Sequence, residues 1–287
     1  MPGLVRREVE PLIRLALRED AAFHDRTSRA LLLPSVRIRA RIVAHARGLF
    51  AGGPVAVWTF HAMDPSLRCR LTRREGAVVR PGDMVLAVEG CAQSIFAAER
   101  TALNLLGHLC GIATLTNAFV RRVKPFHAKI LDTRKTLPGL RALEKYAVRI
   151  GGGDNHRASL QDAILIKTNH LAALKQETRG RRHVIQHAVE TSRKTHPVLF
   201  IEVEVANLNE LREALTTRAD AILLDNMSAN HIRQAVRLRR DLSPLLEVSG
   251  GVTLTNVRTI ARTGVDRISI GRLTHSAPAL DISLEVL

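Results

Sequence analysis

From Lys129 onward the chain keeps returning to one unit, a short apolar strand followed by a helix. The apolar segments are KILDT, AILIK, LFIEVEV, AILLD, LLEVSGG and RISIG, and the later ones recur about every 22 to 24 residues. Helical patterns fill the gaps at residues 183–194, 207–217, 229–240 and 254–263. Parallel strands cannot be joined by a tight turn, so a helix carries the chain back between them. The alternation therefore predicts βαβ units and a parallel sheet. So many units in series predict a barrel of the (β/α) type, with an open doubly wound sheet as the alternative. No G-x-G-x-x-G follows an early strand, which argues against a dinucleotide fold.

The first third has no such rhythm and reads as an α+β domain. Residues 4–19 form an amphipathic helical pattern, with Leu4, Val9, Leu12, Ile13 and Leu17 on the apolar side. Residues 37–46 alternate as a half-exposed strand, and GLFAGG follows as a turn. A helix is predicted over 54–62 and strands over 67–73 and 84–88, the second after the turn Arg80-Pro81-Gly82-Asp83. A helical region runs from Ser94 toward Val123, with Gly107 and Gly111 expected to kink or divide it. Its most apolar run, Leu103 to Leu115, falls short of membrane-spanning length and holds Asn104 and His108. On its own, Arg100 reads as a solvated residue of that helix. Cys69, Cys91 and Cys110 have no paired spacing, so neither a disulfide nor a zinc framework is expected, and a cytoplasmic setting fits.

The formal charge is +16. It fits nucleic-acid binding, attraction of a polyanionic small substrate, or only a basic, Arg-rich proteome. An aromatic content of 3% leaves few stacking platforms for single strands, and the charge forms no basic tail. The cations concentrate instead in Asp132 to Arg157, where Arg134, Lys135, Arg141, Lys145, Arg149, His156 and Arg157 surround Gly151-Gly152-Gly153. The bland reading is a solvated basic helix. The other is a site for an unusually anionic ligand.

The strand ends favour a site. Barrels of this type keep their chemistry at the C-terminal ends of the strands. Those ends carry Asp132, Arg134 and Lys135; Lys167, Asn169 and His170; Glu202 and Glu204; Asp225 and Asn226; Ser249, Gly250 and Gly251; and Gly271. Glu202 and Glu204 are two apart on a strand, so they share a face. Ser249-Gly250-Gly251 precedes a predicted helix, where backbone N–H groups and a helix end suit a phosphate. Cations, carboxylates and a phosphate cradle together suit a phosphorylated sugar and an anionic co-substrate.

In these residues the chain resembles the quinolinate phosphoribosyltransferase family, also called carboxylating nicotinate-nucleotide diphosphorylase. The segments that carry the resemblance are ERTALNLL (99–106), GIAT (111–114), DTRKTLPGLR (132–141), EKYAV (144–148), GGGDNHR (151–157), DAILIK.NH (162–170), EVEV (202–205), LLDNM (223–227), EVSGGV (247–252) and GVDRISIGRLTHSAPALDISL (264–284). The resemblance implies an N-terminal α/β sandwich over 1–112, joined by the tail 274–287, and an open α/β barrel over 113–273. It also implies a homodimer in which Arg100 enters the partner's site, overturning the solvated reading of that residue. The implied reaction joins quinolinate to phosphoribosyl pyrophosphate with Mg2+, releasing pyrophosphate and CO2. By motif, Arg100, Arg134, His156, Arg157 and Lys167 would bind quinolinate. Lys135 and Lys167 would face the pyrophosphate. Glu204 and Asp225 would hold the ribose hydroxyls and the metal. Ser249, Gly250, Gly251, Gly271 and His275 would surround the 5'-phosphate. Glu202 is left open as a structural residue.

The chain departs from the family pattern at Thr168, where an acidic residue is usual. It departs again at DAAFHDRTS, in place of a glycine-rich loop, and at Arg272, where a small residue is common. Two rivals remain: a paralogue acting on another anionic pyridine acid, and a basic nucleic-acid-binding protein whose salt-sensitive binding ignores quinolinate.

Overall fold

The structure, a computed structural model, describes residues 4–177, 183–240 and 244–287. In chain order the elements are α1 (Arg6–Glu19), α2 (Arg26–Leu31), β1 (Arg37–Ala44), β2 (Gly48–Leu49), α3 (Gly53–Met63), β3 (Arg68–Leu71), β4 (Val78–Val79), β5 (Met84–Cys91) and α4 (Ala92–Val123). They continue as β6 (Lys129–Leu131), α5 (Arg141–Ile150), β7 (Ile164–Ile166), α6 (Thr168–Glu177), α7 (Val184–Thr195), β8 (Ile201–Val205), α8 (Leu208–Leu215) and β9 (Ala221–Asp225). The last are α9 (Ala229–Arg239), β10 (Leu245–Ser249), α10 (Val257–Ala261), β11 (Arg267–Ser269), α11 (Arg272–His275) and β12 (Ile282–Val286). The chain divides into two units: residues 1–117, 135–152 and 272–287 form the first, and residues 118–134 and 153–271 the second. The segment 135–152, assigned by sequence to the span 113–273, thus clusters with the first unit.

The first unit is built on an antiparallel sheet ordered β12-β1-β5-β3, beside a small β2–β4 ladder. GLFAGG, expected as a turn, supplies β2. Alternation along β1 decides its faces. Ala40, Ile42 and Ala44 are buried, while Arg39 and Arg41 point out and pair with Glu89 and Glu285. The buried face packs with Phe60 of α3 and with Ile95, Ala98, Ala102 and Leu106 of α4.

Two expectations about α4 are corrected. By length and composition Ala92–Val123 is apolar enough to cross a membrane, although its best uninterrupted run is short. Its apolar residues instead form the core of this unit. Nor do Gly107 and Gly111 break it, since the helix is continuous. They admit the C-terminal segment at close range. A Cβ on Gly107 would lie 2.9 Å from the Leu280 carbonyl oxygen, and one on Gly111 would collide with that of Pro278.

The second unit holds a parallel sheet ordered β6-β11-β10-β9-β8-β7. Consecutive strands pair from β7 through to β11, and the last strand of the series returns to pair with the first. Among the described residues no ladder joins β6 to β7. A barrel in which one seam is left open has this order. A doubly wound sheet would instead reverse its strand order near the middle. β8 is buried at every position, as a strand covered on both faces must be.

Candidate functional site

Strand parity decides which charged residues meet. Residues two apart on a strand share a face, and so do register partners on parallel neighbours. Glu202 is in register with Leu165 and Ala221, Glu204 with Leu223, Glu247 with Leu223 and Arg267, and Ser249 with Asp225. One face of the parallel sheet therefore carries Glu202, Glu204, Asp225, Glu247, Ser249 and Arg267. Lys167 leaves β7 two residues beyond Leu165, on the same side, and is exposed.

The strand-end layer comes first. Glu204 is 8% exposed and accepts from the Thr168 hydroxyl at 2.6 Å and the Thr168 N–H at 3.2 Å, both at Oε1. Thr168 opens α6, so this carboxylate lies at a helix start, where negative charge is favoured. Asp225 and Ser249 end β9 and β10 as direct partners, and the Asn226 N–H donates to the Ser249 carbonyl. The two glycines after Ser249 differ. Both have positive φ, but a Cβ on Gly250 would collide with the Asn226 side chain, whereas Gly251 faces open space. The helix expected over 254–263 spans only Val257–Ala261, as the short α10. No helix end therefore sits at the SGG turn.

Beneath that layer lies a buried group that the sequence reading did not assemble. Glu202 Oε2 lies 2.9 Å from His156 Nε2, Glu247 Oε1 lies 3.6 Å from the same nitrogen, and Arg267 Nε lies 3.0 Å from Glu247 Oε2. In the sequence Glu247 stands inside the apolar strand segment LLEVSGG. Its spacing of two from Ser249 was the available signal. Burial, and after it the charge of Glu202, push the Glu247 carboxyl above the usual carboxylate range, against the opposing charge of Arg267.

A raised folded-state pKa lets the folded protein keep a proton that the unfolded chain has released. The associated stability is full below the unfolded carboxylate pKa and is lost as pH rises through the folded one. Glu247→Gln is therefore expected to stabilise the protein at about pH 8, by on the order of 1 to 3 kcal/mol, with little gain near pH 4. Thermal unfolding of both proteins across that range checks this. A gain that does not grow with pH contradicts it.

The cationic part of the site lies on two segments tied together by Asp132. This fully buried carboxylate accepts the His156 N–H at 2.9 Å and the Asn155 side-chain N–H at 2.5 Å. It thereby joins the segment leading to Arg134 to the one leading to Arg157. Arg157 donates from Nη1 to the Ala163 carbonyl at 2.8 Å. Burial and then the nearby charge of Arg134 hold its guanidinium below the ordinary arginine pKa. Nε of Arg134 is buried with no hydrogen-bond partner among the described residues. An anion bound between like charges relieves such an interaction.

Other candidate residues belong to the first unit. Arg100 is exposed on α4. Lys135 is exposed, and its carbonyl accepts from the Thr274 hydroxyl at 2.6 Å. His275 is exposed and bonds Ser276 Oγ through Nδ1. Gly271, in the second unit, follows β11 by two residues.

Comparison with known proteins covers both domains of the chain. Residues 25–110 match the family described as quinolinate phosphoribosyl transferase, N-terminal domain, and residues 112–285 its C-terminal domain. The nicotinate-nucleotide pyrophosphorylase (carboxylating) of Mycobacterium leprae is 42% identical over 279 residues, covering 96% of this chain and 95% of that protein. The "Probable nicotinate-nucleotide pyrophosphorylase" (carboxylating) of Synechocystis is 40% identical over 282 residues, covering 97% and 92%. Among solved structures, the nicotinate-nucleotide pyrophosphorylase of Francisella tularensis superposes with a TM-score of 0.91 at 36% identity, over 99% of this chain and 98% of that one. With both domains matched and relatives aligned over nearly its whole length, the chain belongs to the quinolinate phosphoribosyltransferase family.

Proposed function

We propose that this protein transfers the phosphoribosyl group of phosphoribosyl pyrophosphate to quinolinate and decarboxylates the product. The products are nicotinate mononucleotide, pyrophosphate and CO2, on the de novo route to NAD. The observation that carries the reading is the buried Asp132 carboxylate, which ties the segment leading to Arg134 to the one leading to Arg157 and so sets both cations at one end of the parallel sheet. A ligand with two adjacent carboxylates relieves the repulsion between those cations. A ligand with one does so only in part.

Within this reading Arg134, His156, Arg157 and Lys167 bind quinolinate, and Arg100 completes the site from the second copy of a homodimer. Lys135 and Lys167 face the pyrophosphate. Glu204 and Asp225 hold the ribose hydroxyls, and Ser249, Gly250, Gly251, Gly271 and His275 the 5'-phosphate. Glu204 and Asp225 are hard oxygen donors of the kind Mg2+ takes, and bound Mg2+ would neutralise charge on the departing pyrophosphate.

The protein's part is positioning and electrostatics. Arg134 and Arg157 fix the pyridine ring by its carboxylates so that the nitrogen faces the sugar C1. As the C1–O bond breaks, positive charge grows on the sugar and Glu204 and Asp225 oppose it. Lys135 and Lys167 balance the charge on the departing oxygen. The ring nitrogen, now bonded to C1, is positive. When the neighbouring carboxylate leaves as CO2, its electron pair remains on carbon beside that charge and then takes a proton from water. No nucleophilic side chain is needed.

The test is turnover with quinolinate, phosphoribosyl pyrophosphate and Mg2+, with nicotinate as the control acceptor. Nicotinate mononucleotide from quinolinate alone is expected. Equal use of nicotinate would contradict a pocket built for two carboxylates.

A further inference from the structure

The start of α6 is tied down within the protein. The Lys167 carbonyl accepts the Leu171 N–H at 3.1 Å, the first bond of the helix. The Lys167 N–H donates in turn to His170 Nδ1 at 3.0 Å, so a side chain of the first turn closes back on the capping residue. Thr168 is the first residue of the helix, where a backbone N–H has no partner in the helical ladder. That N–H crosses to Glu204 on β8, and the Thr168 hydroxyl goes with it. Both donate to the same oxygen, Oε1, at 3.2 and 2.6 Å. Glu204 Oε2 accepts from no group among the described residues. The carboxylate is thus divided, with one oxygen held by the protein and the other left for a ligand, on a side chain only 8% exposed.

We propose that Thr168 is a positioning residue for phosphoribosyl transfer, holding Glu204 so that its Oε2 meets the ribose hydroxyls. The proposal rests on the reading of Glu204 as a ribose-binding carboxylate. A free glutamate side chain samples several rotamers, and that freedom is lost when it engages a ligand. Two donors on one oxygen fix the rotamer before the sugar binds, which is pre-organisation of the contact. The hydroxyl bond is this chain's own. The acidic residue usual at this position in the family pattern has, when ionised, no proton to donate, and its charge opposes that of Glu204. The competing role is structural, with Glu204 doing no more than completing the cap of α6.

Kinetics on the full-length protein separate the two roles. Thr168→Val keeps the branched side chain and removes the hydroxyl donor. It is expected to lower kcat about tenfold, the scale of one hydrogen bond to a charged acceptor. Quinolinate affinity, read by calorimetry, is expected to stay within about twofold of wild type, because the hydroxyl serves only the sugar side of the site. Thr168→Ser restores the donor and is expected to bring kcat back to within about threefold. In a Glu204→Ala background the valine substitution is expected to change kcat by less than about twofold, because no carboxylate remains to be held. Thermal unfolding checks the fold of each variant, and the serine protein keeps the test open if the valine protein does not fold.

An unchanged kcat in Thr168→Val would overturn the proposal. So would a loss shared equally by kcat and quinolinate affinity and accompanied by a lower melting temperature, which is the result of a purely structural cap. A full valine effect in the Glu204→Ala background would assign Thr168 a contact of its own and overturn it too. If Glu204→Ala alone leaves kcat intact, the reading of Glu204 fails first and the proposal falls with it.

Discussion

Arg134→Ala is expected to lower quinolinate affinity by at least about a hundredfold while leaving the protein as stable as wild type or slightly more so. The loss follows from the strength of arginine–carboxylate bonds, about 1.5 to 3 kcal/mol for each charge-assisted hydrogen bond, with two available in a forked contact. The retained stability follows from what the side chain lacks. Its Nε has no protein partner among the described residues, and its charge opposes that of Arg157. Removing it deletes a repulsion and leaves no orphaned acceptor. Groups held in mutual repulsion for the sake of a ligand commonly stabilise a protein when removed. Calorimetry with quinolinate and thermal unfolding give the two halves of the prediction. Unchanged affinity, or a large fall in melting temperature, would show that Arg134 is structural.

Glu204→Gln is expected to reduce kcat by about a hundred- to a thousandfold, the usual scale for removing one electrostatic contact to a transition state, with quinolinate affinity nearly unchanged. The isosteric amide can still accept the Thr168 N–H and hydroxyl bonds at Oε1, so the local fold is conserved. The negative charge is lost, and with it the opposition to the positive charge that develops on the sugar. A separate readout is Mg2+ affinity by titration calorimetry, expected to weaken as one hard anionic donor disappears. If kcat is unchanged and only KM for quinolinate rises, the carboxylate belongs to the quinolinate pocket and its assignment to the ribose fails.

Fold and site were legible to different depths in the sequence. The parallel strands were readable because strand–helix alternation and apolar strand cores are local signals, and β6 to β11 fall where those signals lie. That the barrel is open followed from the family resemblance and not from the strand pattern. It is a fact of pairing between strands, and local periodicity is silent on it. Gly107 and Gly111 misled for a related reason. Within one helix a glycine looks like a weak point. Its role here depends on Pro278 and Leu280, far along the chain. At the site, the shared face of Glu202 and Glu204 followed from two-residue alternation alone. The join between Arg134 and Arg157 did not, because it runs through Asp132 and a turn some twenty residues later. Glu247 and Arg267 escaped notice because each looked like a lone charge in its own strand, and only the register of β10 with β11 brings them together.

The central claim is that phosphoribosyl transfer and decarboxylation occur together on quinolinate. The most direct measurement uses quinolinate isotopically labelled in the carboxyl beside the ring nitrogen. Purified protein is incubated with phosphoribosyl pyrophosphate and Mg2+, and labelled CO2 and pyrophosphate are counted together. The predicted result is one labelled CO2 for each pyrophosphate, with unlabelled nicotinate mononucleotide as product and no CO2 when phosphoribosyl pyrophosphate is omitted. Pyrophosphate release without labelled CO2, or label retained in the nucleotide, would contradict the account.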